Sequence, residues 1–187
     1  MRLLLGVLAP VVAVLVLAGT GSAGYGEPAP SAQFTLEDAR AFDDYPLYFA
    51  GDRVEGLPLV TVLRRTDTAD LVSFVYGDCT ADDDMGCAPP LEIQVWPACR
   101  RHLALYGSSS LGPTLERMTV RGVPAAVLDG GTRLELQTDR STVVVFADAR
   151  ARLARIAGKL RSLEAPVSRG GALPPPVAGA VEGELDC

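Results

Sequence analysis

The segment RLELQTDRSTVVVF, residues 133–146, decides the fold of this chain. Two runs in which hydrophobic and β-branched side chains recur, 133–138 and 142–146, flank the polar pair Asp139-Arg140. A period near two on both sides of a short polar turn is typical of two strands that pair in an antiparallel hairpin. The segment therefore predicts a β-hairpin as the local unit of the fold.

The same pattern recurs outward from this hairpin in both directions. Six further candidate strands lie at residues 47–50, 59–63, 71–76, 91–96, 116–120 and 125–128. The turns Gly51-Asp52, Arg121-Gly122 and Asp129-Gly130-Gly131 separate some of these runs, and such connectors are too short to hold crossover helices. The sheet is therefore expected to be largely antiparallel, in meander order.

Three helices complete the predicted α+β fold. Thr35 followed by Asp38 resembles an N-cap and predicts a short helix over 36–42. A second short helix is predicted over 97–106, with Pro97 in its first turn. The third prediction is an amphipathic helix that covers one face of the sheet, because apolar residues recur with helical spacing. These residues are Leu153, Ile156, Ala157, Leu160 and Leu163.

The two ends of the chain differ from the middle in composition. Residues 1–23 combine Arg2 with a long apolar run and predict a signal peptide, cleaved between Ala23 and Gly24, or an uncleaved membrane anchor. Residues 24–33 predict a flexible linker and 34–164 a single domain. Residues 165–187 are rich in Pro, Gly and Ala and predict a disordered tail. The domain is thus expected outside the cytoplasm, either secreted or anchored on the outer face of the cytoplasmic membrane.

Export makes the four cysteines candidates for disulfides. Cys79 and Cys87 bracket a polar loop between two strand-like runs, and this proximity favours their pairing. Cys99 follows the second run, whose extended length carries it to the other end of that hairpin. Cys187 ends the tail, so it can reach Cys99 or stay free for an intermolecular bridge.

Candidate chemistry in the sequence is sparse. His102 is the single histidine, and a hydrolase would have to combine it with the serines at 108–110, whose sequence does not match a nucleophile elbow. A thiol enzyme would use Cys99. A zinc site would need Cys79, Cys87, Cys99 and His102, but the spacing lacks paired knuckles. The structural interpretations, a disulfide framework and an ordinary helix histidine, are favoured, and neither metal nor cofactor is expected.

Charged residues suggest two further surfaces. Asp78, Asp82, Asp83 and Asp84 form an acidic loop that can offer oxygen ligands to a cation, although a solvated loop tip is the commoner meaning. Basic residues give the last predicted helix a polar side that can contact an anionic lipid or wall polymer, with a solvated face again favoured. They are Arg150, Arg152, Arg155, Lys159 and Arg161. Trp96 can mark a ligand surface or a core position.

Several short motifs recur through the predicted domain, at 48–51, 55–59, 75–79, 87–94, 96–99, 121–125 and 142–146. Together they resemble uncharacterised exported or membrane-anchored proteins of high-GC actinobacteria. The resemblance covers most of the predicted domain and implies an exported location. It assigns no activity and no site residue.

These observations favour a non-catalytic domain of the cell envelope that binds a protein or a cell-wall component. The net charge of −6 argues against nucleic-acid binding, which depends on clustered positive charge. A secreted hydrolase or thiol enzyme that uses His102 or Cys99 is the alternative. A membrane-anchored sensor or structural domain, in contact with the membrane through the N-terminus, is the third hypothesis.

Overall fold

Antiparallel strands dominate the chain, as the alternating pattern predicts. The computed structural model describes residues 34–66, 69–78, 88–106, 115–164 and 171–187. Their strands are β1 (Tyr48–Phe49), β2 (Arg53–Val54), β3 (Leu57–Arg65), β4 (Leu71–Tyr76), β5 (Leu91–Pro97), β6 (Glu116–Val120), β7 (Val123–Leu128), β8 (Arg133–Thr138), β9 (Ser141–Ala147) and β10 (Arg161–Ser162). The helices are α1 (Leu36–Arg40) and α2 (Arg150–Ala157), and 3₁₀ turns lie at Leu103–Tyr106 and Asp129–Gly131. The α+β class is confirmed.

Eight strands form one sheet in the order β2-β3-β4-β5-β9-β8-β7-β6, and every neighbouring pair is antiparallel. The sheet consists of two meanders that meet where β5 pairs with β9 over their full length, from Leu91 opposite Ala147 to Pro97 opposite Ser141. The short strands β1 and β10 form a separate antiparallel pair. The predicted meander order therefore holds within each half of the sheet.

One face of the sheet carries the main hydrophobic core. In β5 the alternate residues Leu91, Ile93 and Val95 are fully buried, and they lie opposite buried residues of β9. The core is closed by side chains of α1, of the segment 42–50, of α2 and by Leu173. Alternation with period two thus separates a core face from a second, more polar face.

The amphipathic helix is shorter than its apolar pattern predicts. Helix α2 ends at Ala157, packs mainly against β9 and β8, and is followed by Gly158. Leu160 is buried beyond the helix end, and the next residues form β10, which pairs with β1. The backbone of β10 forms hydrogen bonds with β1, which has no other strand partner among the described residues. The helix therefore ends although the apolar residues continue at helical spacing. A single helix covering the sheet is therefore not confirmed.

The prediction of a helix over residues 97–106 is wrong. Pro97 is the last residue of β5, and the backbone N–H of Ala98 donates to the carbonyl of Arg140 at 2.8 Å. The following turn places two N–H groups on the Pro97 carbonyl, and only Leu103–Tyr106 is helical, as a 3₁₀ turn. Pairing with the β8–β9 turn thus outweighs local helix propensity.

The prediction of a disordered tail is wrong for residues 171–187, named here the C-terminal strap. Leu173 lies in the main core, and Ala180 is fully buried on the second face of the sheet. Backbone hydrogen bonds join the strap to Arg121, Asp139 and Ala104. Amino-acid composition does not predict this order, because contacts with the rest of the domain position the strap and the strap has no periodic apolar pattern of its own.

Several predicted features lie outside the described residues. These are the leader 1–23 with its Ala23-Gly24 cleavage point, the linker 24–33, and residues 165–170 of the predicted tail. Among the residues that the structure describes, no helix is long and apolar enough to cross a membrane.

Candidate functional site

The second face of the sheet carries a partly exposed group of aromatic and charged side chains, named here the aromatic–arginine patch. Its members are Glu92, Gln94, Trp96, Arg101, Tyr106, Arg133, Glu135 and Phe146. Strand register explains the grouping, because Glu92 lies opposite Phe146 and Phe146 lies opposite Arg133. All these strand residues therefore project from the face that is not the main core.

Glu135 is the electrostatic centre of the patch. Its side chain is completely buried, and Arg101 contacts both carboxylate oxygens, with Nε donating to Oε2 at 3.1 Å. The Tyr106 hydroxyl donates to Oε1 at 2.8 Å and accepts from Nη2 of Arg101 at 2.8 Å. Arg133 Nε lies 3.3 Å from the same Oε1. One buried carboxylate thus holds Arg101 and Tyr106 in fixed positions. Arg133 lies within ion-pair distance of Glu135 and also of Asp129, at 3.2 Å.

These contacts set the charge states of the patch. Burial, together with the neighbouring Glu135 charge, raises the pKa of Tyr106 to about 12. Burial alone would lower the pKa of Arg101, but hydrogen bonding to Glu135 raises the pKa above the ordinary arginine value. Tyr106 is therefore a neutral hydrogen-bond donor and Arg101 a cation throughout the physiological pH range.

A second set of hydrogen bonds fixes the other half of the patch. Ser73 donates to Glu92 at 2.6 Å, and Gln94 donates to the same oxygen at 2.9 Å. The Trp96 indole N–H donates to Gln94 at 3.1 Å, and the Arg101 guanidinium lies 4.9 Å from the centre of its ring. Cation–π contact and hydrogen bonding thus orient Trp96 in a partly exposed position and not in the main core.

His102 lies beneath the strap and not in an open site. Gly183 has a φ of 78° and passes so close to the imidazole that any side-chain carbon there would collide with the ring. The buried Nδ1 finds no hydrogen-bond partner among the described residues. The serines at 108–110 lie outside the described ranges. No carboxylate among the described residues orients this histidine as a catalytic base would require.

Cys99 forms a disulfide with Cys187, with Cα atoms 5.5 Å apart. The tail thus reaches Cys99, one of the two possibilities that the sequence left open. Because Cys99 has no thiol in this state, it serves neither as a nucleophile nor as a zinc ligand. Cys79 and Cys87, the other predicted pair, lie outside the described residues. The disulfide is consistent with an oxidising location outside the cytoplasm.

The predicted cation loop is described only at its first residue. Asp78 is exposed directly after β4, whereas Asp82, Asp83 and Asp84 lie outside the described ranges. In the part of the chain that the structure describes, no group of three or more histidine, cysteine or acidic side chains is arranged to hold a metal ion.

The basic residues of α2 are largely committed to acidic partners. Glu55, in the turn between β2 and β3, binds Arg155 at 2.6 Å and Arg152 at 3.2 Å, with Lys159 at 3.9 Å. The hydrogen bond from Arg155 is the main reason why the pKa of Glu55 falls below the usual glutamate value. Arg150 pairs with Glu116, and Arg161 lies over the Phe49 ring. Such pairing reduces the positive field available to an anionic polymer.

A cleft of about 340 Å³ lies at one end of the sheet, next to the disulfide. It is bounded by the segment Pro97 to Arg100, by Asp44, Tyr45 and Asp70, by Arg140, and by the strap residues 185–187. The Tyr45 hydroxyl donates to the carbonyl of Asp70 at 3.2 Å, which ties the cleft floor to the start of β4. The cleft therefore combines rigid backbone with charged side chains.

Sequence reasoning singled out Trp96 but missed Arg101, Tyr106 and Glu135. A signal was present, since Glu135 and Gln137 alternate with buried leucines in β8, which places two polar residues on one face of a central strand. Polar residues at such positions need partners from another element. Those partners come from the 98–106 segment and from the strap, which local patterns did not predict.

Comparison of the chain with protein families, curated proteins and solved structures found no match.

Proposed function

We propose that this chain is a non-catalytic domain that acts outside the cytoplasm and binds an envelope protein or a cell-wall component through the aromatic–arginine patch. The observation that carries the proposal is the partly exposed Trp96 ring held between Gln94 and Arg101. Tryptophan, tyrosine and arginine are the residue types that contribute most to binding energy at interfaces.

The fixed geometry of the patch also supports binding. Arg101 and Tyr106 are held by hydrogen bonds to the buried Glu135, so little side-chain entropy is lost when a ligand contacts them. The carboxylates of Glu135 and Asp129 balance the two guanidinium groups, since Asp129 lies 3.2 Å from Arg133 Nε. Glu92 adds negative charge on β5, which β9 separates from β8. The patch thus offers an aromatic ring with donors and acceptors of both charges, which suits a polar ligand with an apolar face.

The described residues give little support to an enzyme. The thiol version loses its nucleophile because Cys99 is in a disulfide, and the hydrolase version would rely on a histidine that the strap covers. The proposed role therefore depends on binding alone and requires no catalytic residue. Export and a possible membrane anchor remain parts of the proposal that the N-terminal sequence supports.

The test measures binding of the purified full chain to two fractions of the source organism, isolated cell walls and solubilised envelope proteins. Trp96→Ala is expected to weaken binding to one fraction about thirtyfold, since a central aromatic side chain of an interface contributes roughly 2 kcal/mol. Met118→Ala is the matched control, because Met118 is exposed on β6 outside the patch. Equal binding by both variants, or no binding to either fraction, would refute the proposal.

A further inference from the structure

The cleft beside the disulfide carries a charge arrangement that the proposed function does not use. Its side chains come from elements that follow one another across the end of the sheet, from the β3–β4 connection through the end of β5 to the β8–β9 turn. Acidic residues lie at the β3–β4 side, and basic residues lie at the β5 and β8–β9 side. The sheet register thus separates the two charges in space.

The acidic side is Asp44 with Asp70. Arg64 bridges them, with Nη2 at 2.8 Å from Asp44 Oδ2 and 3.4 Å from Asp70 Oδ1. One guanidinium neutralises only one of the two carboxylates, so this side keeps a net negative charge. Arg64 is itself held over the Phe42 ring at 4.8 Å, which fixes the position of the pair.

The basic side is Arg100 with Arg140. Both are exposed, and the backbone between them is fixed because Ala98 N–H donates to the Arg140 carbonyl at 2.8 Å. The lining of the cleft also includes Tyr45, Pro97 and the disulfide. The strap adds Asp186 near its bridged end, so two guanidinium groups and one side-chain carboxylate line this side.

We propose that this cleft binds a zwitterionic amino acid or short peptide with both termini unblocked. The ammonium group lies against Asp44 and Asp70, and the carboxylate lies against Arg100 and Arg140, where charge-assisted hydrogen bonds are the strongest contacts available. The cleft volume of about 340 Å³ is at the small end of the range for ligand sites, which favours a compact ligand. This inference concerns a site separate from the aromatic–arginine patch and does not depend on it.

Unblocked trialanine is the probe, added to the oxidised full chain while backbone amide chemical shifts are recorded. Shifts are expected in the 97–100 segment, at Arg140 and in residues 185–187, with affinity in the millimolar range or tighter. N-acetylated trialanine and trialanine amide each lack one terminal charge, so each is expected to bind about tenfold more weakly. Equal binding by all three peptides, or no shift with unblocked trialanine, would overturn the proposal.

Substitutions in the cleft identify the residues that bind the carboxylate and the ammonium group of trialanine. Arg140→Gln and Arg100→Gln are each expected to weaken trialanine binding about fivefold and to reduce the penalty for amidation of the peptide. Asp70→Asn is expected to reduce the penalty for acetylation in the same way. Arg117→Gln on β6 is the matched control and should leave affinity unchanged.

A last comparison separates this site from the proposed envelope-binding function. Trp96→Ala should bind trialanine as the wild type does, whereas loss of peptide binding in this variant would overturn the assignment to the cleft. Native-like amide spectra of each variant establish that the fold is retained.

Discussion

Glu135 illustrates how a single buried charge organises a surface. Its carboxylate is completely buried, yet it contacts Arg101, Tyr106 and Arg133, which are all partly exposed. A carboxylate in this position is tolerated only because its charge and its hydrogen-bonding capacity are satisfied. The binding surface and the stability of the fold therefore share one residue.

The Glu135→Gln variant tests this role. It leaves the largely buried Arg101 guanidinium without its counter-charge, whereas Arg133 keeps Asp129 at 3.2 Å, so the free energy of unfolding should fall by about 3 kcal/mol. Chemical denaturation measures the change. Glu116→Gln is the control, because Glu116 pairs with Arg150 where both side chains are more than half exposed, and its cost should stay below about 1 kcal/mol. Equal costs for the two variants would contradict the assigned role.

Tyr106 predicts a loss of stability at alkaline pH. Its folded pKa of about 12 exceeds the ordinary tyrosine value of 10.0, so the unfolded chain releases this proton first as the pH rises. Stability is therefore full below pH 10 and declines between roughly pH 10 and pH 12, by about 1–2 kcal/mol from this residue. Tyr45, Tyr48 and Tyr76 have raised pKa values of the same sign, with burial as the main cause.

Tyr106→Phe isolates the contribution of this phenol. At pH 8 the variant should be less stable than the wild type, because the hydrogen bond to Glu135 is lost. The difference in the free energy of unfolding should shrink as the pH approaches 12, since only the wild type has a phenol whose ionisation favours the unfolded chain. Denaturation curves at several pH values measure it, and a constant difference would show that Tyr106 does not titrate as described.

At the scale of elements, the strap differs from an ordinary tail. It begins in the main core at Leu173, passes the β8–β9 turn, and reaches the second face, where the Ala180 carbonyl accepts from Gln137 at 2.8 Å. Further bonds run from Thr138 to the Pro174 carbonyl and from Val177 to the Asp139 carbonyl. The strap therefore satisfies polar groups on both sides of one sheet end.

The substitution Leu173→Ala tests whether the strap belongs to the fold. Leu173 is almost fully buried, so the free energy of unfolding should fall by about 2–4 kcal/mol. Val177→Ala is the control within the same element, because Val177 is exposed and its loss should change stability by less than about 0.5 kcal/mol. Thermal unfolding under oxidising conditions compares the two. A negligible effect of both would mean that the segment does not pack in solution.

The elements differ in how far local sequence predicts them. The bounds of β4, β6 and β8 agree with the predicted strands, because alternation and turn residues act over neighbouring positions. The strap and the 98–106 segment were mispredicted because contacts distant in sequence position them. The same limit applies to the candidate sites. Trp96 stands out in the sequence as an isolated aromatic residue, whereas its partner Arg101 lies in the segment that is wrongly predicted to be a helix.

On the scale of the whole molecule, distant pairings join local units. The two meanders meet at β5 and β9, and the disulfide joins positions 88 residues apart. Such contacts close long loops, so they form late and carry a large entropic cost in folding. The disulfide removes part of this cost by restricting the unfolded chain. It also fixes the strap residues that line the cleft, so stability and the shape of the cleft are coupled.

The double variant Cys99→Ser/Cys187→Ser tests this coupling. For a loop of this length the chain-entropy effect of a disulfide is about 4–5 kcal/mol, so chemical denaturation should show a loss of that order. Amide hydrogen exchange should accelerate in β9 because global stability falls, and it should also accelerate at Val177 and Ala104, which bond at the strap, because the released strap opens locally. Trialanine binding should weaken because one wall of the cleft is released. Acceleration in β9 without any change at Val177 and Ala104 would instead mean that the disulfide restricts only the unfolded chain and does not hold the strap in particular.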